Sequence, residues 1–211
     1  MVLGRKSVWI CGLAVALSGL MGCDDSSTDM TGAERREAYC EDEIRAYAHS
    51  KQFVRRAAEP SSVDLPSASD VSIRYAGDCH HVIVGHVDVE NAFGGMVRRH
   101  FAMVMRYRPS RDSWFGSNVA LVDQNTARQL GDRLLEEKTE EILERRTQLV
   151  QKLLQELGYN PGPVDGVMGP STRAAIERFQ DDVGIDAEPE PTRELVERLV
   201  LEDVKRSAEG E

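Results

Sequence analysis

Between residues 158 and 180 the chain reads GYNPGPVDGVMGPSTRAAIERFQ, and the first thirteen positions of that stretch hold four glycines and three prolines. Neither a helix interior nor a central strand accepts that density, because proline lacks an N–H donor and glycine loses the most backbone freedom on ordering. The stretch is therefore a loop with fixed corners. Gly158 follows LVQKLLQEL and suits the left-handed position that stops a helix. Asn160, Pro161, Gly162 and Pro163 make an extended corner, Asp165-Gly166 a tight turn, and Pro170 fits the first position of a new helix, where its missing N–H costs nothing. Behind it Ala175 or Ile176, Phe179 and Val183 form an apolar stripe, and a further helix over about 191–205 offers Leu195, Leu199 and Val204. Residues 147–211 are thus expected to form three short helices around one core.

A loop this rich in glycine also invites chemical readings, and two fail on residue type. A phosphate-binding loop needs Lys and then Ser or Thr after its last glycine, whereas Gly169 precedes Pro170, which has neither charge nor N–H. A calcium-binding EF-hand needs alternating oxygen ligands and a closing Glu, and Asp165 is the single acid here.

The run LVQKLLQELGYNPGPVDGVMGPSTRAAIERFQDDVGI resembles the three-helix peptidoglycan-binding domain that accompanies bacterial wall hydrolases, carboxypeptidases and transpeptidases. The resemblance covers residues 149–185, with GY at 158–159, PGPVDG at 161–166, GPxTRAAI at 169–176 and FQ at 179–180. It departs afterwards, where AEPEPTREL puts Glu188-Pro189 in place of a common glycine turn. The resemblance implies non-catalytic binding to peptidoglycan at its stem peptides. Such a surface needs donors for carboxylates and an apolar patch, which Tyr159, Asn160, Asp165, Thr172, Arg173 and Gln180 are placed to supply in part. Asp165 has a second, preferred reading as a carboxylate bonded to its own turn. Ile176 and Phe179 read as core.

The other end of the chain begins MVLGRKSVWICGLAVALSGLMGC, with Arg5 and Lys6 ahead of an apolar run over 8–20 that is too short to span a membrane as a typical helix. It reads as an export signal, residues 1–22. LMGC at 20–23 resembles the lipobox of bacterial lipoproteins, which implies lipidation of Cys23 and a lipid anchor in the membrane; an ordinary signal peptide is the alternative. Asp24, directly after it, resembles an inner-membrane retention signal. Residues 23–32 read as a flexible tether. Cys11 leaves with the signal, so Cys40 and Cys79 remain as an even pair in an oxidising compartment; a disulfide is expected, two buried free thiols being the alternative.

Residues 33–122 read as an α+β module. A helix over 33–58 places Tyr39, Ile44, Tyr47, Phe53 and Val54 roughly on one face and ends before Pro60. Strands are expected over 71–76, 82–90, 97–108 and 114–122, and in the third Phe101, Met103, Met105 and Tyr107 fall on one face. Turns fall at 77–78, 91–95 and 109–112. QFVRRAAEPSSVDLP and VIVGHVDVENAFGGMVRRHFAMVMRY also resemble a recurring bacterial module, over 52–121, to which no activity is assigned. Residues 123–146 are helical but charged nearly all round through EEKTEEILERR, with Glu141 spaced to pair with Arg145, and read as a solvent-bridging connector about 35 Å long.

The fold class is therefore α+β: an N-terminal helix with a small antiparallel sheet, a helical connector, and a three-helix C-terminal domain. A net charge of −10 argues against nucleic acid as a partner. His80 and His81 point to opposite faces of any strand, and His86 and His100 approach across the hairpin near Phe93. Neither pair supplies the three or four converging ligands of a zinc site. No nucleophile–base pair, cofactor motif or carboxylate pair stands out. The reading is a periplasm-facing envelope lipoprotein that holds peptidoglycan and positions its α+β module, or an envelope protein bound to it, at the wall. The alternative is a wall-processing enzyme, or a regulator of one, with its activity in residues 33–122.

Overall fold

The computed structural model describes residues 38–58, 62–117 and 119–209. The signal, Cys23, Asp24 and the tether lie outside the described residues. Helix α1 runs Glu43–Ala57, started by the Asp42 side chain, which accepts from Arg45 N–H at 2.9 Å. Tyr47 and Val54 are buried and Tyr39 and Phe53 pack against the same core, as their spacing requires, but Ile44 is 69% exposed. Ile44 lies about 100° around the helix from the face that buries Ala46, Tyr47, Ser50 and Val54.

Five antiparallel strands follow: β1 (Val63–Asp64), β2 (Ser72–Gly77), β3 (His80–Glu90), β4 (Met96–Arg108) and β5 (Ser113–Gly116). Both β1 and β2 pair with β3, and the order continues through β4 to β5. In β3–β4 His86 faces His100 and Ile83 faces Met103. Phe101, Met103, Met105 and Tyr107 are all buried on one face, where α1 lies. The strand expected over 114–122 is β5, which stops at Gly116; among the described residues an isolated bridge, His100 to Val122, continues the pairing. A disulfide joins Cys40 to Cys79, tying the segment before α1 to the β2–β3 turn.

Helix α2, Gln124–Glu156, is continuous over 33 residues, about 50 Å at the α-helical rise. Its charged first two-thirds do not bridge solvent, which corrects the connector expectation. They lie on the sheet face opposite α1. Gly131 comes so close to Val84 and Arg74 that a Cβ would overlap Val84 Cγ2, and Ile142 packs over Gly77. Arg74 reaches Asp132 and Arg146 reaches Asp78, each at 2.7 Å. Small residues and ion pairs dock the helix where an apolar stripe was absent. Glu141 does pair with Arg145 within the helix.

The last turns of α2, with α3 (Pro170–Val183) and α4 (Arg193–Glu209), enclose a second core of Val150, Leu153, Leu154, Ala175, Ile176, Phe179, Leu195 and Leu199. Val204, expected in this core, is 60% exposed, and Leu149, spaced with Leu153 and Leu157 along LVQKLLQEL, is 43% exposed. Val150 and Leu154 take the inward face of α2 instead, so its stripe is rotated by one residue.

Candidate functional site

The loop between α2 and α3 is built as its glycines and prolines require. Gly158 lies at φ +88°, its N–H donating to Gln155 O (3.0 Å) while Tyr159 N–H reaches Leu154 O (2.8 Å), the paired bonds of a Schellman stop. Pro170 opens α3 after Gly169. Gly166 has φ +79°, and a Cβ there would sit 2.7 Å from Glu144 Cγ and 3.0 Å from the Glu144 carbonyl oxygen. Both its conformation and the close approach of the α2 backbone call for glycine.

What holds the loop to the helices is Gln151, fully buried in α2. Its Oε1 accepts from the N–H groups of Asp165 (3.0 Å) and Gly166 (2.9 Å). Its Nε2 donates to Asp165 Oδ1 (3.0 Å), Val167 O (3.1 Å) and Thr172 Oγ1 (3.1 Å), two protons shared among three acceptors. Thr172 Oγ1 in turn donates to Pro161 O at 3.0 Å. One amide thereby fixes the tight turn, the corner and the start of α3. No motif pointed to Gln151, since a lone glutamine in a helix reads as surface.

The six residues proposed from sequence fall into different settings. Thr172 and Gln180 are buried, the first in the Gln151 network, the second donating to Glu188 O at 3.4 Å. Asp165 accepts from Gln151 and, at 2.9 Å, from Val167 N–H; these bonds, Gln151 first, hold its carboxyl below the usual range. Asn160 is exposed. Arg173 donates to Glu190 at 3.1 Å with its side chain 43% exposed, steadying the segment that leads into α4. Tyr159 packs edge-on against Phe179 and donates its hydroxyl to Asp182 at 2.7 Å. Burial, then the Asp182 carboxylate, pushes that hydroxyl up to about 12.

Tyr159 also lines a groove of about 230 Å³ floored by Leu157, Phe179 and Val183 and rimmed by Lys205 and Arg206. Glu202 and Glu209 line it too, so its two cations are matched by two carboxylates around the apolar floor. Lys205 pairs with Glu202 and Arg206 donates to the Glu156 carbonyl at the end of α2. Arg173 is not among the residues of this groove. The six candidates thus do not converge on one patch. The sequence signal for Lys205 and Arg206 was their position in the last turns of a helix, where basic side chains meet helix carbonyls.

In the α+β module His86 and His100 approach to 6.1 Å between ring centroids. Among the described residues no three His, Cys, Asp or Glu side chains are grouped to hold a metal ion, and no helix is long and apolar enough to cross a membrane.

Residues 145–199 match the family model of a peptidoglycan binding domain. The matched span takes in the end of α2, the Gln151-held loop, all of α3 and the first part of α4. No curated protein and no solved structure matches the chain. Over residues 145–199 the chain is similar to a domain that binds peptidoglycan, which supports cell-wall binding there and association with the cell envelope.

Proposed function

We propose that the chain is an envelope lipoprotein that holds peptidoglycan through residues 147–211 and holds the membrane through a lipid on Cys23, so that its α+β module, or an envelope protein bound to that module, is kept at the wall. The observation that carries this reading is the family match over 145–199, which falls on a loop whose every corner is fixed by Gln151, glycine or proline. Two attachments in one chain give an avidity that neither has alone, provided the spacing lets both engage. A helix of about 50 Å running unbroken from the sheet into the wall-binding core holds the α+β module in a fixed place beside the wall-binding domain.

The anchor rests on LMGC at 20–23, and Asp24 favours the inner membrane. On the wall side, the stem peptide is met by Tyr159 and Arg173, with Asn160, Asp165, Thr172 and Gln180 shaping the surface around them. Cell fractionation tests the tether. The wild type is expected in the membrane fraction and Cys23→Ser in the soluble periplasmic fraction; identical partition of the two removes the lipid anchor from the account.

A further inference from the structure

An opening of about 760 Å³ lies not on the three-helix domain alone but at its junction with the α+β module. One wall is the β2–β3 turn with the Cys40–Cys79 disulfide, another the outer face of α2 at Leu143 and Arg146, and the third the segment from Glu190 to Glu194 that leads into α4. All three walls are fixed. The disulfide holds the first, Arg146 is clasped to Asp78 across the junction at 2.7 Å, and the third is braced by Arg173 on Glu190 and by Thr192 Oγ1 accepting from Leu195 N–H at 3.1 Å. Its volume is that of a preformed small-ligand site.

Its chemistry is specific. Leu143 and Tyr75, 48% and 38% exposed, and Pro191 offer an apolar surface with an aromatic face. Four carboxylates (Glu41, Asp78, Glu190, Glu194) line the opening against two guanidiniums (Arg146, Arg193), so the walls carry excess negative charge. Asp78 is paired with Arg146, Glu190 with Arg173, and Arg193 with Glu197. Among the described residues Glu41 has no ion-pair partner. An exposed carboxylate beside an aromatic ring and an aliphatic surface suits an ammonium on a methylene chain. Peptidoglycan stem peptides carry that group on their diamino acid residue.

We infer that the junction groove binds the diamino acid side chain of a wall stem peptide, its methylenes on Leu143 and Tyr75 and its ammonium on Glu41. The α+β module is then part of the wall-binding site and not only cargo. This rests on the wall-binding reading above.

The test uses the full chain and soluble disaccharide-peptides released from a wall whose stem keeps a free side-chain amine, alongside the same peptides N-acetylated, in calorimetric titrations. The wild type is expected to bind the free amine about fivefold or more tighter than the acetylated form. Glu41→Gln, a conservative change at an exposed site, is expected to lose that preference, and Leu143→Arg to lose binding of the free-amine peptide, with circular dichroism and melting unchanged. Equal binding of amine and acetylated peptide by the wild type, or wild-type binding by both variants, overturns the inference while wall binding itself stands. A wild type that binds neither soluble peptide nor insoluble wall overturns the proposed function and this inference together.

Discussion

A buried primary amide destabilises a core unless its oxygen and both protons are satisfied, and Gln151 satisfies them with five contacts to a loop fourteen or more residues away. Gln151→Ala strands the Asp165 and Gly166 N–H groups in a buried turn. We expect it to cost about 2–4 kcal/mol, read as a lower urea midpoint, and a loss under ~0.5 kcal/mol would contradict the network. The residues marked by backbone demands, Gly158, Gly166 and Pro170, were legible in the sequence because their conformations admit few substitutes. Gln151 was not, because its burial is created by a loop that folds back over it. His81 is a second residue of this kind. It is fully buried between Tyr75 and Trp114, and among the described residues neither ring nitrogen has a hydrogen-bond partner. Burial, outweighing the Glu41 backbone and aided by His80, lowers it from 6.5 to about 4. Between those values the unfolded chain holds the extra proton, so stability falls as pH drops from about 6.5 toward 4, by about 3 kcal/mol in all from this group. His81→Phe is expected to flatten that part of the stability-against-pH curve from denaturant titrations. An unchanged slope would place the acid sensitivity elsewhere, at His80 or His100, which burial also lowers.

Among elements, β4 was legible because Phe101 to Tyr107 alternate without interruption, and α3 because Pro170 opens it and Ile176, Phe179 and Val183 follow as an apolar stripe. Strand β1 has only two residues, too few for a pattern, and the bridge at Val122 depends on a partner, His100, far along the chain. The docking of α2 was illegible for a different reason. Its contact face includes Ala127, Gly131 and Ile142, and the helix is also held by Arg74–Asp132 and Arg146–Asp78, so a charged middle with only a short Leu130–Leu134 stripe did not advertise it. Two effects oppose each other at Gly131. Alanine improves helix propensity by about 1 kcal/mol, while a Cβ there overlaps Val84, and overpacking costs about 1–3 kcal/mol. Packing is expected to win, so Gly131→Ala should lower the melting temperature and Val84→Ala should restore part of the loss. A higher melting temperature for Gly131→Ala would mean that the helix does not lie against the sheet.

At the scale of the molecule, the two cores are joined by one helix and by the Arg146–Asp78 clasp, and the disulfide fixes the exit of the N-terminal segment beside that same junction. The β3–β4 hairpin tip leaves Phe93 98% exposed. The C-terminal domain was legible from its loop motif, which the family match over 145–199 takes in. The junction was not, since it brings together Glu41, Leu143 and Glu190, which no local pattern relates. Every part of the account depends on attachment to the wall, and sedimentation of the purified full chain with insoluble peptidoglycan tests this most directly. The account predicts saturable co-pelleting that Gln151→Ala weakens in step with its loss of stability; a full chain that stays in the supernatant at every peptidoglycan concentration would contradict it.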